Sequence, residues 1–147
     1  MELTIIIPVY NVENHLSRCL DSIFVGNNID GEFEVIAVDD GSTDNSYGIL
    51  QEYAFRYKQL KIYHQENQGS SVARNKALDV ATGKYIMFVD SDDFVEKDSI
   101  NTILQEAIKT DVDILFYDFN VISEDGVKNR ASCPNFLENI VFTGEEY

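Results

Sequence analysis

Apolar residues along this chain keep two alternating rhythms: short unbroken runs, and longer stretches where they return every three or four positions. Residues 4–10 read TIIIPVY, the continuous apolar character expected of a strand covered on both faces in a parallel sheet, with Pro8 placed to mark its carboxyl end. Leu16, Cys19, Leu20, Ile23 and Phe24 then recur at helical spacing, and Asn11 stands where an N-cap belongs. The unit repeats. Phe33 to Val38 predicts a second strand, Asp39 to Thr43 a turn, and Tyr47, Leu50, Ala54 and Tyr57 a second helix. A short strand, Leu60 to Tyr63, leads through a loop to a helix striped by Ala73, Ala77, Val80 and Ala81 and ended by Gly83. Tyr85 to Val89 forms another apolar run, followed by Asp90 to Asp93 and a helix striped by Ile100, Ile103, Leu104, Ala107 and Ile108. Ile114 to Ile122 alternates, with Leu115, Tyr117, Phe119 and Val121 on one face, and Asp125-Gly126 predicts a tight turn. No element is assigned from Val127 onward.

Strands alternating with helices imply an α/β fold: a mostly parallel sheet, connected by right-handed crossovers and flanked by helices on both faces. In such sheets ligands bind beyond the carboxyl ends of the strands. That rule selects Pro8 to Asn11, Asp39 to Ser42, His64 to Asn75 and Asp90 to Asp93.

Composition narrows the partners. With 147 residues, 44% of them apolar, residues 1–147 are expected to form one compact domain with a real core. A formal charge of −15 and only 11 Lys and Arg exclude a nucleic-acid polymer and disfavour an acidic membrane face. Cys19 and Cys133 are too few for a disulfide framework or a zinc cluster, and no secretory leader is evident, so a reducing cytoplasm is the expected compartment. No apolar run approaches the roughly 18 residues of a membrane span, so membrane attachment would come from sequence beyond this chain.

The bunched carboxylates carry the chemistry. Asp90, Asp92 and Asp93 crowd the end of one strand and would repel one another, which a hard divalent cation such as Mg²⁺ or Mn²⁺ relieves while keeping positions for water and phosphate. A solvated turn starting a helix accounts for the same residues about as well. Asp39-Asp40-Gly41-Ser42 ends another strand, where Gly41 permits a sharp turn and an Asp can accept a ligand N–H or begin a helix. Tyr10 offers a ring for stacking on a base, or is an ordinary core tyrosine. Arg74, near a helix start, is within reach of a phosphate or of a surface ion pair. His64 is assigned no chemistry, and Cys19 is read as a small core residue.

TIIIPVYN, VDDGSTD, NQGSSVARN and GKYIMFVDSDD, in that order over about the first two-thirds of the chain, resemble the family-2 glycosyltransferases of the GT-A fold. The resemblance implies an enzyme that binds a nucleotide-diphosphate sugar, UDP-linked, with Mn²⁺ or Mg²⁺. It implies inverting transfer to an acceptor hydroxyl in surface polysaccharide or glycoconjugate synthesis. It places Pro8, Val9, Tyr10 and Asn11 around the nucleoside, Asp40 toward the base, Asp90 toward the ribose and Asp92 on the metal, with Asp93 assisting and Arg74 near the nucleotide. No catalytic base is named, because the setting of Glu145 and Glu146 resembles the segment before the family's acidic motif. The chain is expected to stop before the acceptor-binding half. The rivals are a non-catalytic nucleotide-binding fragment, a Mg²⁺-dependent phosphatase and a phosphoacceptor signalling domain. The last two normally carry their acidic residues after the first strand, which here ends Pro-Val-Tyr-Asn.

Overall fold

The structure, a computed structural model, describes residues 1–27, 29, 31–117, 119–122 and 128–131. The chain divides into two compact units, Met1–Leu104 and Gln105–Tyr147. The first contains β1 (Leu3–Val9), α1 (Glu13–Phe24), β2 (Phe33–Asp40), α2 (Ser46–Arg56), β3 (Leu60–Gln65), α3 (Ser70–Leu78), β4 (Tyr85–Phe88) and the first turns of α4 (Ser99–Thr110). Its sheet has the order β3-β2-β1-β4, with every pairing parallel.

The strand period of two divides the core. Ile5, Ile7 and Val9 face a cluster with Leu16, Leu20 and Ile23 of α1, Leu50 of α2, and Ile100 and Leu104 of α4. Ile6, Ile36 and Val38 face the opposite side, against Ala73 and Ala77 of α3. Helices therefore cover both faces, as the alternation of elements predicts, and the small alanines let α3 lie close to the sheet.

Pro8 lies inside β1, a central strand, rather than at its end. The position is tolerated because alternate residues of a strand face the same neighbour. Ile6 gives its carbonyl to Val89 N–H (3.0 Å), so Pro8, two residues on, turns its missing N–H toward β4 just where β4 has ended at Phe88. The sheet opens there at no cost in ladder bonds.

Several boundaries differ from the periodic reading. β2 runs on through Asp39 and Asp40, and β3 through His64 and Gln65, because these residues pair side by side in register. Val12, not Asn11, caps α1; Asn11 takes a left-handed conformation (φ 49°) instead. α3 ends at Leu78 with Asp79 as its C-cap, before Val80 and Ala81. Gly83 serves a different need: its N–H donates to Thr4 Oγ1 (2.9 Å), and any Cβ there would collide with the Thr4 backbone nitrogen.

In the second unit, β5 (Phe119–Ile122) pairs antiparallel with β6 (Lys128–Ala131). Of the strand expected over Ile114 to Ile122, the described residues form the strand Phe119–Ile122. The turn expected at Asp125-Gly126 lies outside the described residues, as do Cys133, Glu145 and Glu146.

Candidate functional site at the carboxyl edge of the sheet

A cavity of about 220 Å³ opens at this edge, lined by Pro8 and Val9 at the end of β1, Tyr10 just after it, Asp40 of β2, Ser70 and Arg74 of α3, and Asp90, Ser91 and Asp92 after β4. It lies where the strand order reverses: β2 and β3 extend to one side of β1 and β4 to the other. Open α/β sheets form their ligand crevice at such a point. Tyr10 keeps 47% of its surface exposed, so its ring is free of the core.

Asn11 is not among the lining residues, and its side chain braces the rim. Its Oδ1 accepts from Thr43 N–H (2.7 Å) and Thr43 Oγ1 (3.3 Å), while its own N–H donates to Ser42 Oγ (3.1 Å). Glu13 N–H donates to Asp44 Oδ2 (3.0 Å), and Glu13 Oε2 accepts from Asn45 N–H (2.8 Å). The segments after β1 and β2 are thereby stitched into one edge. Gly41 (φ +74°) makes the intervening turn, and a Cβ there would come within 2.8 Å of Asn67 N.

The paired aspartates of β2 are buried hydrogen-bond acceptors and do not begin a helix. Asp39 Oδ2 lies 2.7 Å from His64 Nδ1, so His64 has a partner where the sequence assigned none. Asp40, 2% exposed, accepts Gln65 Nε2 (2.7 Å) and Gln68 N–H (2.8 Å) on Oδ1 and Gly69 N–H (2.8 Å) on Oδ2. Burial alone would raise its carboxyl, but the bonds from Gln65, Gln68 and Gly69 prevail and hold it below the usual carboxylate range. Asp40 thus fixes the loop that delivers the start of α3 to the cavity, and Oδ2 retains room for a further donor.

Asp90 to Asp93 form a tight turn closed by Asp93 N–H to Asp90 O (3.0 Å), and α4 begins only at Ser99. The helix-start explanation of these carboxylates therefore does not hold. Arg74 Nη2 pairs with Asp90 Oδ1, and its Nη1 reaches Ser70 Oγ at 3.3 Å. Arg74 is thus both in an ion pair and on the cavity wall. Burial, then the charges of Asp92 and Asp90, push the Asp93 carboxyl up; Arg18 opposes the rise.

Sequence reasoning missed Arg18, and it selected Ser70 only within the stretch His64 to Asn75, without a role of its own. Arg18 Nη2 donates to the Asp92 carbonyl (3.1 Å), with its guanidinium 4.7 Å above the Phe94 ring. On a helical wheel Arg18 belongs to the polar face, which carries no signal of a partner 74 residues away. A role for Ser70 could have been found from the rule that the first N–H groups of a helix face an anion. Cys19 is buried as expected; its thiol, pushed up to about 12 by burial and then by the charges of Asp93 and Asp92, points at Asp90 O (3.7 Å).

The donor set fits a hard divalent cation. Among the described residues no three His, Cys, Asp or Glu side chains converge as a closed metal cage. Asp90 and Asp92 do line one cavity with Arg74 and Ser70 at the start of α3, a set with few protein ligands that would leave most coordination positions for water and phosphate oxygens, as Mg²⁺ and Mn²⁺ prefer. No helix among the described residues is long and apolar enough to cross a membrane.

A parallel sheet with helices on both faces and an acidic turn at its point of reversal define an α/β domain of the GT-A type. Residues 4–144 match the model of glycosyl transferase family 2, and the chain belongs to that family. It is 41% identical over 122 residues to glycosyltransferase GlyA of Streptococcus pneumoniae serotype 4, an alignment covering 81% of this chain and 17% of GlyA. Staphylococcus aureus TarS 1–349 in complex with UDP-GlcNAc superposes with a TM-score of 0.70 at 34% identity, covering 77% of this chain and 33% of that one. Mannosyltransferase PcManGT from Pyrobaculum calidifontis, in complex with GDP-Man and Mn²⁺, gives a TM-score of 0.64 at 28% identity, over 74% of this chain and 31% of that one. The chain therefore spans between about a sixth and a third of the length of these relatives.

Proposed function

We propose that this chain is the donor-binding part of a glycosyltransferase, taking a uridine-diphosphate sugar together with Mn²⁺ or Mg²⁺. The observation that carries the reading is the cavity at the strand reversal, which Tyr10, Arg74, Asp90 and Asp92 line together. The donors named for TarS and PcManGT support a nucleotide-sugar, and the Mn²⁺ named for PcManGT supports the cation.

Each residue has a task in this reading. Tyr10, with Pro8 and Val9 beside it, forms the platform for the base, and the remaining acceptor site on Asp40 Oδ2 takes a uracil N3–H. Asp90 faces the ribose. Arg74, hinged on Ser70, meets the diphosphate along with the first N–H groups of α3. Asp92 would hold the divalent cation, which when bound supplies positive charge to the departing diphosphate. Fixed donors aimed at a leaving group whose charge grows are the usual dominant contribution to such transfers. Family membership supports inverting transfer to an acceptor hydroxyl of a surface polysaccharide or glycoconjugate.

Calorimetric titration with UDP tests the reading. Binding is expected with Mg²⁺ or Mn²⁺ and is expected to fall sharply with chelator; equal affinity in both conditions would remove the metal from the account.

A further inference from the structure

We propose that Arg18 is a positioning residue of the donor site: from α1 it clasps the acidic turn and so sets where the Asp92 carboxylate stands. The proposal rests on the functional reading above and adds a residue to it.

After β4 the chain runs from Val89 to Asp98 without helix or strand, yet it carries the carboxylates of the site. An irregular segment needs its polar backbone groups answered from elsewhere. α1 and the residues after it answer them in sequence. Cys19 reaches Asp90 O, Arg18 Nη2 reaches Asp92 O (3.1 Å), and Ser22 Oγ accepts Val95 N–H (3.1 Å). Asn27 then donates to Glu96 O (3.2 Å) and accepts Ile100 N–H (3.0 Å). Four of these five contacts come from side chains tucked against α1: Cys19 is in the core, Ser22 also donates to Cys19 O, and buried Asn27 also donates to Ser22 O. The Arg18 contact differs, because its side chain is exposed and holds the turn from outside.

The clasp has two points. A charge-assisted bond fixes the carbonyl of Asp92, and the guanidinium plane lies over the ring of Phe94, two residues on. Together they restrain residues 92 to 94 on both sides of Asp93. A lysine keeps the charge but not the planar fork that donates and stacks at once. Arg18 is exposed and lies outside the hydrophobic core, so its hold on the turn can be tested apart from the packing of that core.

Two measurements test the proposal. Hydrogen exchange on the ligand-free protein should show the amides of Asp93 and Phe94 exchanging about tenfold faster in Arg18→Ala, with the amides of β1 to β3 unchanged. Unchanged exchange across residues 92–95 would overturn the clasp whatever the ligand proves to be. In calorimetry with UDP and Mg²⁺, Arg18→Ala should weaken binding about tenfold, should leave the residual affinity in chelator unchanged, and should cause no further loss in an Asp92→Ala background. Arg18→Lys should stay within about threefold of Arg18→Ala. Equal weakening with and without metal, full additivity with Asp92→Ala, or complete rescue by lysine would each show that Arg18 does not act by positioning Asp92. If the unaltered protein binds UDP equally with and without cation, the functional reading fails, while the exchange measurement still decides the clasp.

Discussion

The two ends of the central sheet both contain acidic side chains, and they treat them in opposite ways. At the amino end, Glu34 is 1% exposed and every neighbour answers it: Oε1 accepts Thr4 Oγ1 (2.8 Å), Thr82 N–H (2.8 Å) and Thr82 Oγ1 (2.7 Å), and Oε2 accepts Lys61 Nζ (2.6 Å). Burial alone would raise that carboxyl, but the bonds from Lys61, Thr82 and Thr4 bring it down to about 2. At the carboxyl end, Asp90, Asp92 and Asp93 share the guanidiniums of Arg74 and Arg18, and the Asp93 carboxyl is driven up. A carboxylate whose oxygens are all satisfied within the chain holds the fold together. Carboxylates crowded against one another beside a cavity repel, and in the proposed function a cation from outside would relieve that repulsion.

Removing the charge at the amino end should therefore cost stability and spare binding. Glu34→Gln is expected to destabilise the protein by about 3 kcal/mol at neutral pH in denaturant unfolding, since it removes the charge paired with Lys61 and, with its amide oxygen kept toward Thr82 and Thr4, turns an NH2 donor toward the Lys61 ammonium. Because folding lowers the Glu34 carboxyl from 4.5 to about 2, its contribution is complete above pH 4.5 and is lost as the pH falls toward 2. The Gln variant should lack this part of the acid dependence. An unchanged acid limb would mean that the Glu34 cluster does not stabilise the fold.

The converse change at the carboxyl end should spare stability and weaken binding. Asp92→Ala is expected to weaken UDP binding in Mg²⁺ on the order of hundredfold, with its unfolding midpoint unchanged. A large loss of stability would place Asp92 with Glu34 rather than opposite to it. Gly83→Ala, at the amino end, should cost about 2 kcal/mol because the new methyl meets fixed backbone of β1; UDP affinity of the folded fraction should not move.

The smallest effect sharpens the reading of the base. Uracil N3 carries a hydrogen that Asp40 Oδ2 can accept, whereas cytosine presents a lone pair there. UDP should therefore outcompete CDP about tenfold. Equal competition would confine Asp40 to its bonds with Gln65, Gln68 and Gly69.

What the sequence made legible follows the same division. Apolar runs located β1 to β4, and helical stripes located α1 to α4, because the burial of nonpolar side chains is periodic and local. The rule that ligands gather at strand ends then brought Tyr10, Arg74, Asp90 and Asp92 to one cavity. Hydropathy lost the strand ends themselves: Asp39 beside His64 and Asp40 beside Gln65 are polar pairs within the ladder, where a polar residue reads as a turn. Asn11 had the chemistry of a cap but bonds across to Thr43, and Glu34 sat unremarked in an apolar strand. Arg18 and the Glu34 cluster depend on contacts between residues far apart in the chain, and no local pattern announces them.

In the proposed function the cation and the nucleotide gather at the carboxyl end of the sheet and leave Glu34 at the amino end alone. Paramagnetic broadening of backbone amide signals by Mn²⁺ in the presence of UDP measures this directly. The account predicts strong broadening at Tyr10, Ser70, Ser91 and Asp92, with Glu34, Thr82 and Gly83 unaffected. Broadening centred on Glu34 and Thr82, or spread evenly over the acidic surface, would contradict it.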